Sequence, residues 1–153
     1  MKKLLLLIPT LFFLSTIFSQ NLFFDYGEFI ASENTSSAES SVIYFDNGNV
    51  KEFHALKDGY EHGEVSYYYK NGNTKETGNY SYGVKCGKWV SWSENGIKTG
   101  EVSFNQEGKK DGKWKIWDFN GNLRAQMNYK DGERSGLWKT WDEEGSLINE
   151  KKF

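Results

Sequence analysis

Three glycine series running in one phase constrain this chain more than any other feature. Gly63, Gly87, Gly112 and Gly136 are spaced by 24, 25 and 24 residues. Gly48, Gly72, Gly96, Gly121 and Gly145 follow at 24, 24, 25 and 24, and Gly59, Gly83, Gly108 and Gly132 at 24, 25 and 24. A period of this length marks a tandem array, in which each unit buries its apolar face only against its neighbours. The single extra residue falls between Phe104 and Gly108, in a loop, where an insertion costs little.

The six tryptophans keep the same phase and occur only as W-x-x-W pairs: Trp89 with Trp92, Trp114 with Trp117, Trp138 with Trp141. Earlier units place Val65 with Tyr68, and Ser41 with Tyr44, at those positions. Each unit reads G-x-W-x-x-W-x-x-x-G, then an alternating stretch, then a G-x-x-x-G linker such as Gly59 to Gly63. Turn chemistry makes each unit a hairpin. Asn47-Gly48, Asn71-Gly72, Asn95-Gly96 and Asn120-Gly121 are Asn-Gly turns, and Glu144-Gly145 is a weaker variant. Asn-Gly is the strongest short hairpin signal, because a two-residue type I′ turn needs positive φ at both central residues. Leu123, Ala125, Met127 and Tyr129 alternate strictly with Arg124, Gln126 and Asn128, as in a half-buried strand.

Two loop residues at Asn120-Gly121 set a register. Phe119 then opposes Asn122, Asp118 opposes Leu123, Trp117 opposes Arg124, Ile116 opposes Ala125 and Trp114 opposes Met127. Since side chains alternate between faces, Trp114, Ile116, Leu123, Ala125, Met127 and Tyr129 share an apolar face. Trp117 falls on the other, beside Lys115, Arg124 and Gln126. The expected fold is all-β: an elongated single antiparallel sheet of five tandem β-hairpins, ten strands that span ~45 Å at about 4.8 Å each.

Aligning the units separates a core from a candidate surface. The last position of the second strand is Leu56, Tyr80, Phe104, Tyr129 and Phe153, which reads as the core rung. The first-Trp position, Ser41, Val65, Trp89, Trp114 and Trp138, joins it. The second-Trp position is aromatic in every unit: Tyr44, Tyr68, Trp92, Trp117 and Trp141. The same register sets Lys51 against Tyr44, Lys75 against Tyr68 and Arg124 against Trp117. This row has two readings. It stiffens the sheet, with long cationic side chains lying over the rings. It also offers an aromatic strip to a partner protein, a peptide strand or a sugar chain. The candidate binding residues are therefore Tyr44, Tyr68, Trp92, Trp117, Trp141, Arg124 and Lys75.

Ahead of the repeats, Lys2 and Lys3 followed by the apolar run Leu4 to Phe18 read as a signal peptide over residues 1–19. The run is short for a membrane span, so the expectation is an exported chain, periplasmic, cell-surface or secreted, with no transmembrane segment once matured. Residues 20–40 contain Phe23, Phe24, Tyr26 and Phe29 before a Ser-rich stretch, and form either a cap on the array or a leader without fixed structure. Repeats then fill 41–153. Glu150, Lys151 and Lys152 put charge on the final strand, a device against edge-to-edge pairing.

Chemistry in the sequence is sparse. Net charge is -2, and removing Lys2 and Lys3 leaves 17 basic against 21 acidic residues, or -4. Such a balance argues against nucleic acid as a partner. Cys86 is the only cysteine and reads as an inert small residue in a loop, the alternative being a pairing between chains. His54 and His62 read as surface residues, since they lack zinc-ligand spacing. Asp46, Asp58, Asp111 and Asp131 sit at or near turn glycines without the spacing of a calcium loop. No nucleophile, base or phosphate-binding loop stands out, so no enzyme activity and no cofactor is expected.

The units resemble the variant MORN repeat, roughly G-x-W-x-x-Y-x-x-N-G-x-L followed by Y-x-x-G. Gly112 to Leu123 reads G-K-W-K-I-W-D-F-N-G-N-L, and Tyr129 to Gly132 reads Y-K-D-G. The first unit departs, with Glu39 and Ser41 for Gly and Trp. Proteins of this type are often labelled YwqK-family antitoxins, which implies a cytoplasmic toxin as partner; the signal-like N-terminus points away from that role. Tyr44 to Val50 also looks like the repeats of large toxin shells, and Gly87 to Gly96 like choline-binding wall repeats, but shells need longer chains and the interrupted linker favours the MORN variant. The functional expectation is a non-catalytic module that binds a protein, with a cell-surface or cell-wall glycan as the alternative.

Overall fold

The computed structural model describes residues 39–153. The signal-like segment and most of the 20–40 stretch lie outside the described residues. Ten strands form one antiparallel sheet: β1 (Glu39–Tyr44), β2 (Val50–Lys57), β3 (Tyr60–Tyr68), β4 (Thr74–Ser81), β5 (Val84–Trp92), β6 (Lys98–Phe104), β7 (Gly112–Trp117), β8 (Leu123–Lys130), β9 (Glu133–Trp141) and β10 (Leu147–Lys152). Their spatial order is their chain order, so every connection is a hairpin. The expected ten-stranded sheet is what the chain forms.

The turns differ from expectation in an instructive way. Asn47, Asn71, Asn95 and Asn120 do not have positive φ; only Gly48, Gly72, Gly96 and Gly121 beside them do. The amide of Gly121 donates to the carbonyl of Asp118 at 3.0 Å, and the amide of Asp118 to that of Asn122 at 3.0 Å. This is a three-residue loop, a type I turn closed by a left-handed glycine. Side-chain oxygens at its base favour the wider loop: Asp118 Oδ1 accepts from the amides of Asn120 and Asn122, both at 2.9 Å. The true two-residue turns are the linkers. Asp58-Gly59, Tyr82-Gly83 and Asp131-Gly132 have both residues at positive φ, as type I′ requires. The linker with the extra residue becomes a three-residue loop, with the Gly108 amide donating to Asn105 O at 3.1 Å.

The wider loop changes the register near its end. Trp114 pairs with Met127 and Ile116 with Ala125, as expected, but Trp117 pairs with Leu123 and Arg124 is left in a bulge. Likewise Tyr44 faces Val50, and Tyr68 faces Thr74. Hence Leu123 belongs to the Trp117 face, and Lys51, Lys75 and Arg124 are not the partners of the second-row rings. The second glycine of three linkers, Gly63, Gly87 and Gly136, lies at positive φ where the register shifts on β3, β5 and β9. These are bulges that strengthen the twist.

The core is a ladder on one face. Edge-on or tilted ring pairs join Tyr80 to Trp89, Phe104 to Trp114, Trp114 to Tyr129, Tyr129 to Trp138 and Trp138 to Phe153, with centroids 5.0 to 5.4 Å apart. Trp89 and Val65 are the most buried, each 1% exposed. Gly78 explains why. The Trp89 indole lies so close over the Gly78 α-carbon that a Cβ there would fall 2.1 Å from Cδ2. The repeat puts Val102 and Met127 at the matching positions, beneath Trp114 and Trp138, and those indoles are only half-buried. Cys86 is buried on β5, not in a loop, and its carbonyl accepts the Trp89 indole N–H at 3.2 Å.

Candidate functional site

The sequence-predicted row lies on the face opposite Trp89. Alternation from the paired positions puts Tyr44, Tyr68, Trp92, Trp117 and Trp141 together there, near the Asn-Gly loops. Tyr44, on the edge strand, is 60% exposed, while the other four are half-buried. Phe45, Lys51, Tyr68 and Lys75 line an open groove of about 330 Å³. Trp92 lines its neighbour with Asn73 and Thr74. Lys75 reaches over the ring of Tyr69, not Tyr68, at 5.9 Å. Among the described residues, only Trp117 in this row carries a cation above it, Lys98 at 5.4 Å.

Arg124 serves a different purpose from the one its sequence position suggested. Freed by the bulge, its Nε lies 3.5 Å from Asp118 and its Nη2 3.7 Å from Glu143, so it ties one loop to the next. Comparable ties recur earlier along the same edge. Asn47 and Asn49 donate to Lys70 O at 2.9 Å, and Asn73 donates to Glu94 O at 2.9 Å. The first three loops are thus tied in series by hydrogen bonds and the last two by Arg124, and the row of rings stands beside them.

The opposite face holds a feature the sequence reading missed. Lys85 Nζ lies 3.7 Å from the centroid of the Trp89 ring. Lys110 lies 4.6 Å from that of Trp114 and 4.9 Å from that of Tyr129. Arg134 lies 4.8 Å from Trp138 and 5.3 Å from Phe153, and Lys151 4.8 Å from Phe153. The cation–π pairing expected for the second row is therefore concentrated on the first. A signal existed: Lys85, Lys110 and Arg134 each stand two residues after a linker glycine, a fourth phased series. The equivalent residue in the earlier unit is Glu61, so composition at that position did not repeat.

Where the cation becomes Glu61 and the tryptophan becomes Val65, the same face turns acidic. His54 Nδ1 is 2.6 Å from Glu61 and its Nε2 3.3 Å from Glu52. The Tyr67 ring meets His54 edge-on at 5.6 Å. Burial, then the hydrogen bond to Tyr80 and the nearby carboxylates of Glu61 and Glu52, push the Tyr67 phenol above its ordinary range. His54 is accordingly a half-buried member of a polar cluster, not a free surface residue, and His62 packs on Tyr82 at 4.5 Å. Among the described residues, no three His, Cys, Asp or Glu side chains are grouped to hold a metal.

Two segments, residues 61–82 and 110–131, match the model of the MORN repeat variant. Each match covers one hairpin, from the residue on the first-row face (Glu61 or Lys110) through β3–β4 or β7–β8 to the opening residue of a type I′ turn. The hairpins β5–β6 and β9–β10 repeat that geometry in the same phase. No curated protein matches the chain.

Proposed function

We propose that this chain is an exported, non-catalytic repeat module that holds a protein partner against its open sheet. One observation carries the reading: a single-layer sheet sets an aromatic side chain on every second strand along the second-row face, and among the described residues no second layer covers them. Such a sheet offers far more contact surface than chemistry. Repeats of this kind commonly bind proteins or membranes, which fits a non-catalytic module. The contact surface of this reading is the second row, Tyr44, Tyr68, Trp92, Trp117 and Trp141. Lys75 lies at its margin, and Arg124 braces the loops below it.

A photo-reactive phenylalanine derivative in place of Trp117 tests the binding. The expected result is a discrete protein adduct, absent when the same group replaces the exposed Tyr60 at the linker end of β3. Adducts to glycan alone would favour the sugar-binding alternative. Export is tested separately by mass spectrometry of the protein outside the cytoplasm, with Gln20 as the expected first residue. A chain that keeps Met1 and stays in the cytosol would sink that half of the reading.

A further inference from the structure

Four cations on the first-row face make a second, chemically distinct surface. We propose that this face binds an extended acidic protein segment whose carboxylates recur every third residue with apolar side chains between them. The inference builds on the reading of the chain as a protein-binding module, but it concerns the face opposite the second row.

Register puts three of the cations in line: Lys85 pairs with Tyr80, Lys110 with Phe104 and Arg134 with Tyr129, while Lys151 pairs with Trp138, one rung away on the same face of the aromatic ladder. None of the four has a carboxylate in ion-pair contact among the described residues. On the opposite face, by contrast, Lys88 and Lys98 share Glu101, and Lys139 meets Glu150. A ring beneath a cation holds its head in place without cancelling its charge. The row is therefore a set of positioned, uncompensated charges, which is what an anionic partner needs.

Spacing and surroundings select the partner. Lys85, Lys110 and Arg134 stand on every second strand, so about 10 Å separates them along the sheet. A polyproline II segment rises about 3.1 Å per residue with three residues per turn, so acids at every third residue recur on one side at about 9 Å. A β-strand repeats its faces at about 7 Å and falls out of step. Beside the cations, the same face bears Val102, Ile116, Ala125 and Met127, all half-buried. Apolar side chains of a peptide fit against them, whereas a polyanionic glycan has none to offer. A neutral glycan stacks on bare ring faces, and here cations occupy those faces. Toward β2 the same face presents Glu52, Glu61 and Glu76, which repel an acidic segment and limit it to the strands from β5 onward.

The test uses the full chain and a fluorescent twelve-residue peptide of four Glu-Pro-Leu repeats, read by anisotropy. Controls are a peptide of the same composition with its four Glu grouped at one end, and a sulfated oligosaccharide. Binding of the spaced peptide should weaken as salt rises. It should fall by about 10-fold in Lys110→Glu/Arg134→Glu, the order expected for reversing two exposed charges. Lys88→Gln/Lys139→Gln, which removes two cations from the opposite face, should leave it unchanged. Lys110→Gln/Arg134→Gln, with circular dichroism to check the fold, covers the case in which the reversed charges disturb the sheet. Equal affinity for the grouped peptide would overturn the spacing argument. Tighter binding of the oligosaccharide would overturn the protein partner for this face. Salt-sensitive self-association that blocks the peptide, seen by sedimentation, would name a second copy as occupant and overturn it too. A protein adduct at position 117 alongside no peptide binding would discard this inference and leave the second-row reading standing.

Discussion

Replacing Gly78 by alanine should destabilise the sheet, although in most strand interiors the same change stabilises. Alanine loses less chain entropy than glycine on folding, which alone is worth about 0.5–1 kcal/mol in its favour. Here the added Cβ would lie 2.1 Å from Cδ2 and 2.2 Å from Cε2 of the Trp89 indole. To reach ordinary carbon–carbon contact near 3.5 Å, the ring must rise by about 1.5 Å. That displacement breaks the indole N–H bond to Cys86 O, now 3.2 Å, and disturbs the ring packing on Tyr80. Overpacking of this kind costs about 1–3 kcal/mol, and a lost hydrogen bond adds about 1 kcal/mol. Complete loss of a buried tryptophan, about 3–5 kcal/mol, sets the ceiling. The net expectation is therefore a loss of about 2 kcal/mol after the alanine gain is subtracted. Urea unfolding followed by both fluorescence and circular dichroism measures it, with coincident curves as the condition for using one transition. The double variant Gly78→Ala/Trp89→Val should lose less than the two single losses summed, because valine leaves room for the new methyl. A neutral or stabilised Gly78→Ala protein would refute the reasoning.

Other consequences follow from the same geometry. Trp89→Ala should cost about 3–5 kcal/mol, as for a fully buried ring, and Trp117→Ala distinctly less; equal losses in urea titration would contradict the two-face description. Iodide should quench fluorescence from the second row in preference to Trp89, so Trp117→Ala should remove more of the quenchable signal than Trp89→Phe does. Gly121→Ala should cost about 1 kcal/mol, because φ of 86° holds a side chain in the left-handed region; no change in the unfolding midpoint would argue against the three-residue loop. Stability should also fall in acid. Hydrogen bonds from Lys88 and Lys98 hold Glu101 below its ordinary value of 4.5, and one from Lys51 does the same for Glu52. A depressed native pKa adds stability that is complete above the unfolded value and disappears as pH falls through the native one. The loss should therefore begin below about pH 4.5 and become shallower in Glu101→Gln, as thermal melts across that range would report.

The period, the ten strands and the two faces were legible because glycine and aromatic positions repeat and side chains alternate. Tyr80, Phe104, Tyr129 and Phe153 stand on the ladder with Trp89, Trp114 and Trp138, as alignment of the units indicates. The loop type was not legible from Asn-Gly alone. It shows only in the hydrogen bonds: Gly48, Gly72, Gly96 and Gly121 each donate to the carbonyl three residues back, whether that residue is Phe45, Tyr69, Ser93 or Asp118, so every Asn-Gly loop holds a third residue. One residue of difference then moved Leu123 to the other face and freed Arg124 to bridge Asp118 and Glu143. Gly78 belongs to none of the phased series, and only the approach of the Trp89 ring reveals its purpose. The cations were visible as letters, but their use was not: Lys51, Lys75 and Arg124 were expected over the second row, whereas a different set, Lys85, Lys110 and Arg134, covers the first.

The strand order has a mechanical consequence. Among the described residues each strand is hydrogen-bonded only to its neighbours in the chain, so a load on β10 that acts across the sheet strains its bonds with β9. Such a sheet parts like a zipper, one hairpin at a time, and each released unit of 24 residues lengthens the tether by about 80 Å. A partner that spans several hairpins would act as a splint across those seams, and pulling experiments would record its presence as missing steps.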